Sequence, residues 1–121
     1  SGVFVTYKNP SISLTAAFFT EFLGTALLAG GIFALCDHKS TKDYLPIYIG
    51  VLLSALTYSF GFPTAFSWNP ARDFGPRVLT AIVGYNSFCY MDYYWWVPII
   101  APYTGALFGV FLYKILIQSQ L

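Results

Sequence analysis

Residues 69–77 read NPARDFGPR and are followed by an apolar run, residues 78–83, that is too short to cross a bilayer. Asn69 is a good N-cap residue, and Pro70 suits the first helical position because its angle is already set and no amide hydrogen is left unpaired. Asp73 falls in the first turn, where a negative charge is favourable near the positive end of the helix dipole. The pattern predicts a short helix that begins at Pro70.

A second proline falls within this short helix. Pro76 has no amide hydrogen to donate to the carbonyl of Arg72. The sequence leaves two possibilities open: the helix bends at Pro76, or its first turn is separate from the residues that begin at Arg77.

Three long apolar stretches make up most of the remaining chain, and we predict helical spans at about residues 12–36, 44–62 and 93–117. Each is close to the ~20 residues that cross the hydrocarbon core of a bilayer. The chain is 57% hydrophobic and 9% charged, whereas about a quarter of the residues of a soluble domain are charged. The composition indicates a multi-pass integral membrane protein in contact with the lipid bilayer.

Residues 63–83 are predicted to form a re-entrant loop and half-helix between the second and third spans. Irregular backbone is tolerated at membrane depth only where protein buries it or where it lines a water-filled cavity. Arg72 favours the second case, because a guanidinium inside the membrane costs at least ~2.5 kcal/mol and usually marks a solute path. Taken alone, Arg72 is equally compatible with a snorkelling residue at the interface.

Three spans and one half-helix have the form of one inverted repeat of a transporter or channel. We therefore expect an all-α transmembrane fold. Because the sequence opens directly on a polar loop at Ser1 and contains no second copy of the Asn69-Pro70-Ala71 segment, we expect it to be a fragment whose other repeat is missing.

Several function classes are disfavoured by the sequence. It holds no Ser-His-Asp set, metal-ligand cluster or phosphate-cradling loop, so we expect neither an enzyme nor a bound metal or cofactor. The net charge is +1 without a basic tract, so nucleic acid is not an expected partner. Cys36 and Cys89 match no metal-binding spacing.

The nine residues from Asn69 to Arg77 resemble the second signature loop of the aquaporin superfamily, in its glycerol-facilitator form. The Asn-Pro-Ala-Arg portion is typical of the whole superfamily, whereas Asp73 directly after Arg72 and the basic Arg77 resemble the aquaglyceroporin branch. Further similarities to that branch are Thr6-Tyr7 before the first span, Glu21 within it, and Pro98-Ile99 in the last span.

By this resemblance the chain is the C-terminal half of an aquaglyceroporin, and its spans correspond to the fourth, fifth and sixth helices of that family. The resemblance implies a pore and selectivity filter formed by Asn69, Pro70, Ala71, Arg72, Phe66 and Thr57. Asn69 would donate to the oxygen of a passing water or alcohol at the pore centre, and Arg72 would donate to hydroxyl oxygens in the filter. Phe66 would receive the carbon edge of glycerol, although a role in packing alone stays open.

The roles of two residues, Thr57 and Glu21, stay open after this comparison with the family. Thr57 lies where bacterial glycerol facilitators commonly have Gly and water channels have His, so a narrower aperture is expected and the proportion of water to glycerol stays open. For Glu21 the resemblance implies a structural carboxylate that accepts hydrogen bonds from the backbone of residues 63–69, while a proton relay or cation site remains the alternative.

The expected function is a passive channel for glycerol, water and other small uncharged polyols that excludes ions and protons. The resemblance implies a homotetramer in the plasma membrane once the missing N-terminal half is supplied. The alternative is a truncated, non-conducting membrane fragment that associates with full-length channels. Separately, the spacing of Ala101, Gly105 and Gly109 predicts a ridge of small residues that permits close helix packing.

Overall fold

The computed structural model describes residues 2–120 of the chain, and none of these residues lies in a β-strand. The helices are α1 (Leu14–Asp37), α2 (Leu45–Thr64), α3 (Pro70–Ile82), α4 (Tyr90–Tyr93) and α5 (Val97–Leu116). Three stretches are long and apolar enough to cross a membrane, namely Leu14–Asp37, Lys39–Thr64 and Tyr90–Gln120. The prediction of an all-α fold with three long apolar helices and one half-length helix is confirmed.

The last long helix begins later than the sequence pattern indicates. We predicted a span from residue 93, but α5 begins at Val97. Met91, Asp92 and Tyr93 have φ angles of 54°, 58° and 59°, in the left-handed region, and a 3₁₀ turn follows them. This conformation is unfavourable for residues other than glycine, so tertiary contacts must hold it.

Two such contacts flank the left-handed turn. Lys8, a buried residue of the segment before α1, places its Nζ 3.3 Å from Oδ2 of Asp92. Tyr94, directly after the turn, is fully buried against Ala17 and Ala101. The burial of Tyr94 fixes the entry of the chain into α5, and the ion pair adds little because the carboxylate of Asp92 is largely exposed.

The core of the fold is the contact between α1 and α5. A Cβ atom at Gly105 would overlap the carbonyl group of Phe22, and one at Gly109 would overlap that of Ala26. On the opposite helix, a Cβ at Gly30 would lie 3.1 Å from the carbonyl oxygen of Gly109. The two backbones therefore touch along the small-residue ridge, as predicted, because small residues let helices approach closely in a membrane.

At the other end of this helix pair, polar side chains join α1 to the end of α5. Oδ2 of Asp37 accepts hydrogen bonds from Tyr113 Oη at 2.9 Å and from Gln118 Nε2 at 2.8 Å. By contrast, α2 is largely exposed, and its buried residues are Leu56 and Thr64. Most of α2 thus presents side chains outward.

Gly109→Ala tests whether the backbone contact between α1 and α5 stabilises the fold. We expect it to lower the free energy of unfolding by about 1–3 kcal/mol, the usual range for overpacking a tight contact. Denaturant unfolding in micelles, followed by circular dichroism, measures the change. Gly50→Ala is the matched control, because a Cβ at Gly50 meets no atom within 4 Å. Equal losses in the two variants would contradict the contact.

Candidate functional site

The N-terminus of α3 is built as the sequence predicts. Oδ1 of Asn69 accepts the amide hydrogens of Ala71 at 3.0 Å and Arg72 at 3.2 Å, and Pro70 is the first helical residue. Since the side-chain oxygen of Asn69 is the acceptor in this cap, its NH₂ group points away from the helix. Asn69 is exposed, so these hydrogens form an oriented donor at the positive end of α3.

The helix continues through Pro76 as one element from Pro70 to Ile82. Of the two possibilities left open by the sequence, a separate first turn is therefore wrong. The carbonyl of Arg72 receives no hydrogen bond from position 76, because proline has no amide hydrogen.

The loop between α2 and α3 has an unusual backbone. Ala65, Phe66 and Trp68 have φ angles of 58°, 45° and 41°, all in the left-handed region. Each such residue costs roughly 1–2 kcal/mol relative to right-handed geometry. The loop adopts this shape only because other parts of the chain bind it.

The binding group is the carboxylate of Glu21, which is fully buried in α1. Its Oε1 accepts the amide hydrogen of Ser67 at 3.0 Å, and its Oε2 accepts that of Trp68 at 2.8 Å. Glu21 thus contacts the loop in the way expected of a structural carboxylate.

The indole ring of Trp68 packs against the same helix. A Cβ atom at Gly24 would overlap this ring, so glycine at position 24 creates the space for it. Sequence reasoning missed this pair, because residues 24 and 68 are far apart in the chain and neither belongs to a recognisable motif.

A groove of about 300 Å³ lies between the start of α3 and the flanking helices. It is lined by Leu28, Leu53, Thr57, Phe66, Ser67, Trp68, Asn69 and Arg72. Four of the residues assigned to a filter from the sequence, Thr57, Phe66, Asn69 and Arg72, therefore lie together in one groove. Pro70 and Ala71 do not line it; they form the first turn of the helix beside it.

The groove is lined by two chemically different kinds of side chain. Asn69 and Arg72 supply hydrogen-bond donors and are exposed, whereas Phe66, Leu28 and Leu53 supply apolar surface. A lining of this kind can bind a small solute that carries both hydroxyl groups and carbon. Among residues 2–120, no cluster of His, Cys, Asp or Glu side chains is arranged to hold a metal ion.

Asp73 and Arg77 do not line the groove but form a buried ion pair behind it. Nε of Arg77 lies 2.8 Å from Oδ2 of Asp73, and Nη2 of Arg77 lies 3.1 Å from Oδ1. Arg77 also donates to the carbonyl oxygens of Ser87 at 2.6 Å and Thr6 at 2.7 Å. Oδ1 of Asp73 accepts both the amide hydrogen of Thr6 at 2.8 Å and its hydroxyl at 2.6 Å.

This network ties α3 to the segment before α1 and to the loop after α3. The sequence placed Asp73 in the first turn of the helix and gave both residues a resemblance to one family branch, but it missed the ion pair. Their i,i+4 spacing on a helix was the signal that could have predicted it. Pro98 and Ile99 lie further away, in the first turn of α5.

Residues 1–113 match the model of the family described as Major intrinsic protein. The chain belongs to the major intrinsic protein family. Together with its three long apolar helices, membership of this family makes it an integral membrane protein.

Two relatives are named aquaglyceroporins. Aquaglyceroporin-2 of Rhizophagus irregularis is 43% identical over 122 residues, which cover 97% of this chain and 39% of the relative. Aquaglyceroporin-3 of Trypanosoma brucei brucei is 39% identical over 120 residues, which cover 94% of this chain and 38% of the relative. The chain thus spans about two fifths of the length of these relatives.

A solved structure has the same fold. The X-ray structure of the aquaglyceroporin from Plasmodium falciparum matches with a TM-score of 0.84 and 34% sequence identity, over 96% of this chain and 50% of the other. The resemblance inferred from residues 69–77 is therefore confirmed at the level of family and fold.

Arg77→Met tests the contribution of the buried ion pair. The variant leaves the carboxylate of Asp73 without its charged partner, so we expect a loss of about 3–5 kcal/mol in the free energy of unfolding. The matched control is Arg72→Met, which removes an exposed guanidinium from the same helix and should change stability by about 0.5 kcal/mol or less. Denaturant unfolding of both variants measures the difference, and similar losses would contradict a special role for Arg77.

Proposed function

We propose that this chain forms part of the wall of a passive transmembrane pore for glycerol, water and other small uncharged polyols. The observation that carries the proposal is the groove that Asn69, Arg72 and Phe66 line together. Asn69 and Arg72 bring hydrogen-bond donors to it, and Phe66 brings an apolar ring. A three-carbon polyol has complementary edges, because its hydroxyl oxygens accept hydrogen bonds while its carbon backbone packs against an aromatic ring.

Each residue then has a distinct role in permeation. The NH₂ group of Asn69 and the guanidinium of Arg72 donate to oxygen atoms of the permeant, which replaces part of the solvation lost on entering a narrow pore. Phe66 contacts the carbon edge. Thr57 lies on the opposite helix and narrows the aperture relative to glycine, which favours permeants no larger than short polyols.

The same groove disfavours ions. Cations meet the positive charge of Arg72 and the positive end of the α3 dipole. A water molecule that accepts a hydrogen bond from Asn69 is held in one orientation and is a poor relay for a proton. We therefore include exclusion of ions and protons in the proposal.

The assembly we propose is a homotetramer of complete channels in the plasma membrane. Exposed apolar side chains along α2 support its burial against lipid, a neighbouring copy or the rest of the pore wall. The proposal includes a complementary half of the pore wall, because Asn69 and Arg72, which line the groove, are exposed.

Residues 1–121 alone are expected to give no glycerol flux, because the open groove does not enclose a pore. Flux should appear when the chain is joined to the half of the Plasmodium falciparum aquaglyceroporin that lies outside the structural match. Stopped-flow swelling of proteoliposomes measures both. The unmodified aquaglyceroporin is the positive control, and empty liposomes are the negative one.

Two outcomes would change the conclusion. Robust glycerol uptake by the chain alone, blocked by Arg72→Trp, would mean that copies of the chain complete the pore for each other. A folded joined protein without flux, together with co-purification of the chain with full-length channels, would favour the non-conducting fragment.

Arg72→Ala tests selectivity in the joined channel. A hydrogen bond from a charged donor contributes about 1.5–3 kcal/mol, so the concentration of glycerol at half-saturation should rise by about tenfold or more. Leak of protons and cations should also rise, because the positive charge is removed. Lys42→Ala is the control, since Lys42 is exposed in the 3₁₀ turn before α2 and does not line the groove. An unchanged ion leak and an unchanged ratio of glycerol to urea flux would place Arg72 outside the pore.

A further inference from the structure

The indole ring of Trp68 is buried between α1 and the side chain of Phe66. Only 7% of Trp68 is exposed. A Cβ atom at Gly24 would lie 2.5 Å from Cε2 and 2.7 Å from Cζ2 of the indole, so the ring rests directly on the backbone of α1. The ring centroids of Trp68 and Phe66 are 6.3 Å apart with an interplanar angle of 57°, which is a usual separation for an aromatic pair. Trp68 therefore contacts both α1 and Phe66.

The ring of Phe66 rests in turn on the end of α2. A Cβ atom at Gly61 would lie 3.0 Å from Cδ1 and 3.5 Å from Cε1 of this ring. The two aromatic rings thus form a continuous chain of contacts that begins at Gly24 in α1 and ends at Gly61 in α2. Both ends of this chain meet a residue without a side chain, so each ring lies against main-chain atoms that cannot rotate away.

The backbone hydrogen bonds of the loop do not by themselves fix the ring of Phe66. The carboxylate of Glu21 accepts the amide hydrogens of Ser67 and Trp68, which follow Phe66 in the chain. A phenylalanine side chain still has two rotatable bonds and needs contacts of its own to stay in one position. Trp68 supplies such a contact, and it is itself held from α2 by Phe60, whose ring centroid lies 6.4 Å away.

The position of the Phe66 ring affects the width of the groove. Phe66 is 39% exposed and lines the groove together with Asn69 and Arg72. Protein interiors are close-packed and transmit small displacements between neighbouring side chains. A change in the size or place of the indole is therefore passed to the ring of Phe66 and from there to the free space of the groove.

We propose that Trp68 is a positioning residue for Phe66 and thereby sets the size of the largest polyol that the pore admits. The indole acts through the ring of Phe66 and not by hydrogen bonds of its own to the permeant. This inference rests on the proposed function, because it takes Phe66 as part of the selectivity filter. It adds two determinants of size selectivity, Trp68 and Gly24, that are neither the Asn-Pro-Ala segment nor Arg72.

Trp68→Leu tests the inference in the joined channel. Loss of the indole leaves the ring of Phe66 free to move, so the flux of erythritol, a four-carbon polyol, relative to glycerol should rise by about tenfold, the lower end of what one carbon unit is worth in a fitted pocket. Stopped-flow swelling of proteoliposomes measures both fluxes. Their ratio does not depend on how much of the protein folds, so a merely structural role would leave it unchanged, and that result would overturn the inference.

Gly24→Ala tests whether the effect passes through the indole. The added methyl group overlaps the ring of Trp68 and should shift the ratio of erythritol to glycerol flux. In the Trp68→Leu background the same change should leave the ratio as it is, because the ring that the methyl displaces is absent. Equal shifts in the two backgrounds would overturn the inference. Gly50→Ala is the matched control, since a Cβ at Gly50 meets no atom within 4 Å.

The mobility of the Phe66 ring gives a readout that needs no transport. A 4-fluorophenylalanine label at position 66 of residues 1–121, in lipid nanodiscs, reports this mobility through fluorine NMR relaxation. Trp68→Leu should increase the mobility of the labelled ring. Trp95→Leu should not, because the ring of Trp95 packs against Phe88 in another part of the chain. An unchanged mobility in Trp68→Leu would overturn the inference.

Together, the two readouts separate failure of this inference from failure of the proposed function. If the unmodified joined channel passes no glycerol, the transport proposal fails, and the mobility of the Phe66 ring still decides whether Trp68 positions it. If the joined channel passes glycerol but the ratio of erythritol to glycerol flux is the same in Trp68→Leu, the positioning role of Trp68 is wrong and the transport proposal stands.

Discussion

Glu21 places a carboxylate at the point where the chain leaves helical geometry between two apolar helices. Backbone amides that are not in a helix have no water to bind at membrane depth, and each unpaired one costs several kcal/mol. The amides of Ser67 and Trp68 meet this requirement through the two oxygen atoms of Glu21. With those bonds in place, Ala65 and Phe66 can adopt left-handed angles, and the chain turns into α3 with Asn69 at its start.

The position of this carboxylate depends in turn on the packing of α1. Gly24 gives Trp68 the space to lie against α1, and Gly105 and Gly109 let α5 contact the same helix at Phe22 and Ala26. The small residues and the buried acid therefore act together. Glycine lets the neighbouring groups approach α1 closely, and the carboxylate of Glu21 accepts hydrogen bonds from the buried amides of Ser67 and Trp68.

The second buried network fixes the first two turns of the half-helix. Asp73 and Arg77 bind Thr6 before α1 and Ser87 after α3, so charged hydrogen bonds hold this part of α3. Arg72 directly precedes Asp73 but lies on the exposed side of the helix. Two arginines on one helix thus have opposite environments: Arg77 is enclosed by partners, whereas Arg72 is exposed and lines the groove.

The sequence by itself determined the number of long apolar helices, the start of α3 at Asn69-Pro70 and the family of the chain, because hydropathy, capping and the NPARDFGPR motif are local. Only the tertiary structure decided that Thr57, Phe66, Asn69 and Arg72 line one groove, that Asp73 pairs with Thr6, and that residues 91–93 are left-handed and delay α5 to Val97. These features depend on contacts between residues far apart in the chain. A local pattern records which backbone a segment prefers in isolation, but a buried ion pair or a shared carboxylate can override that preference only after the helices have packed.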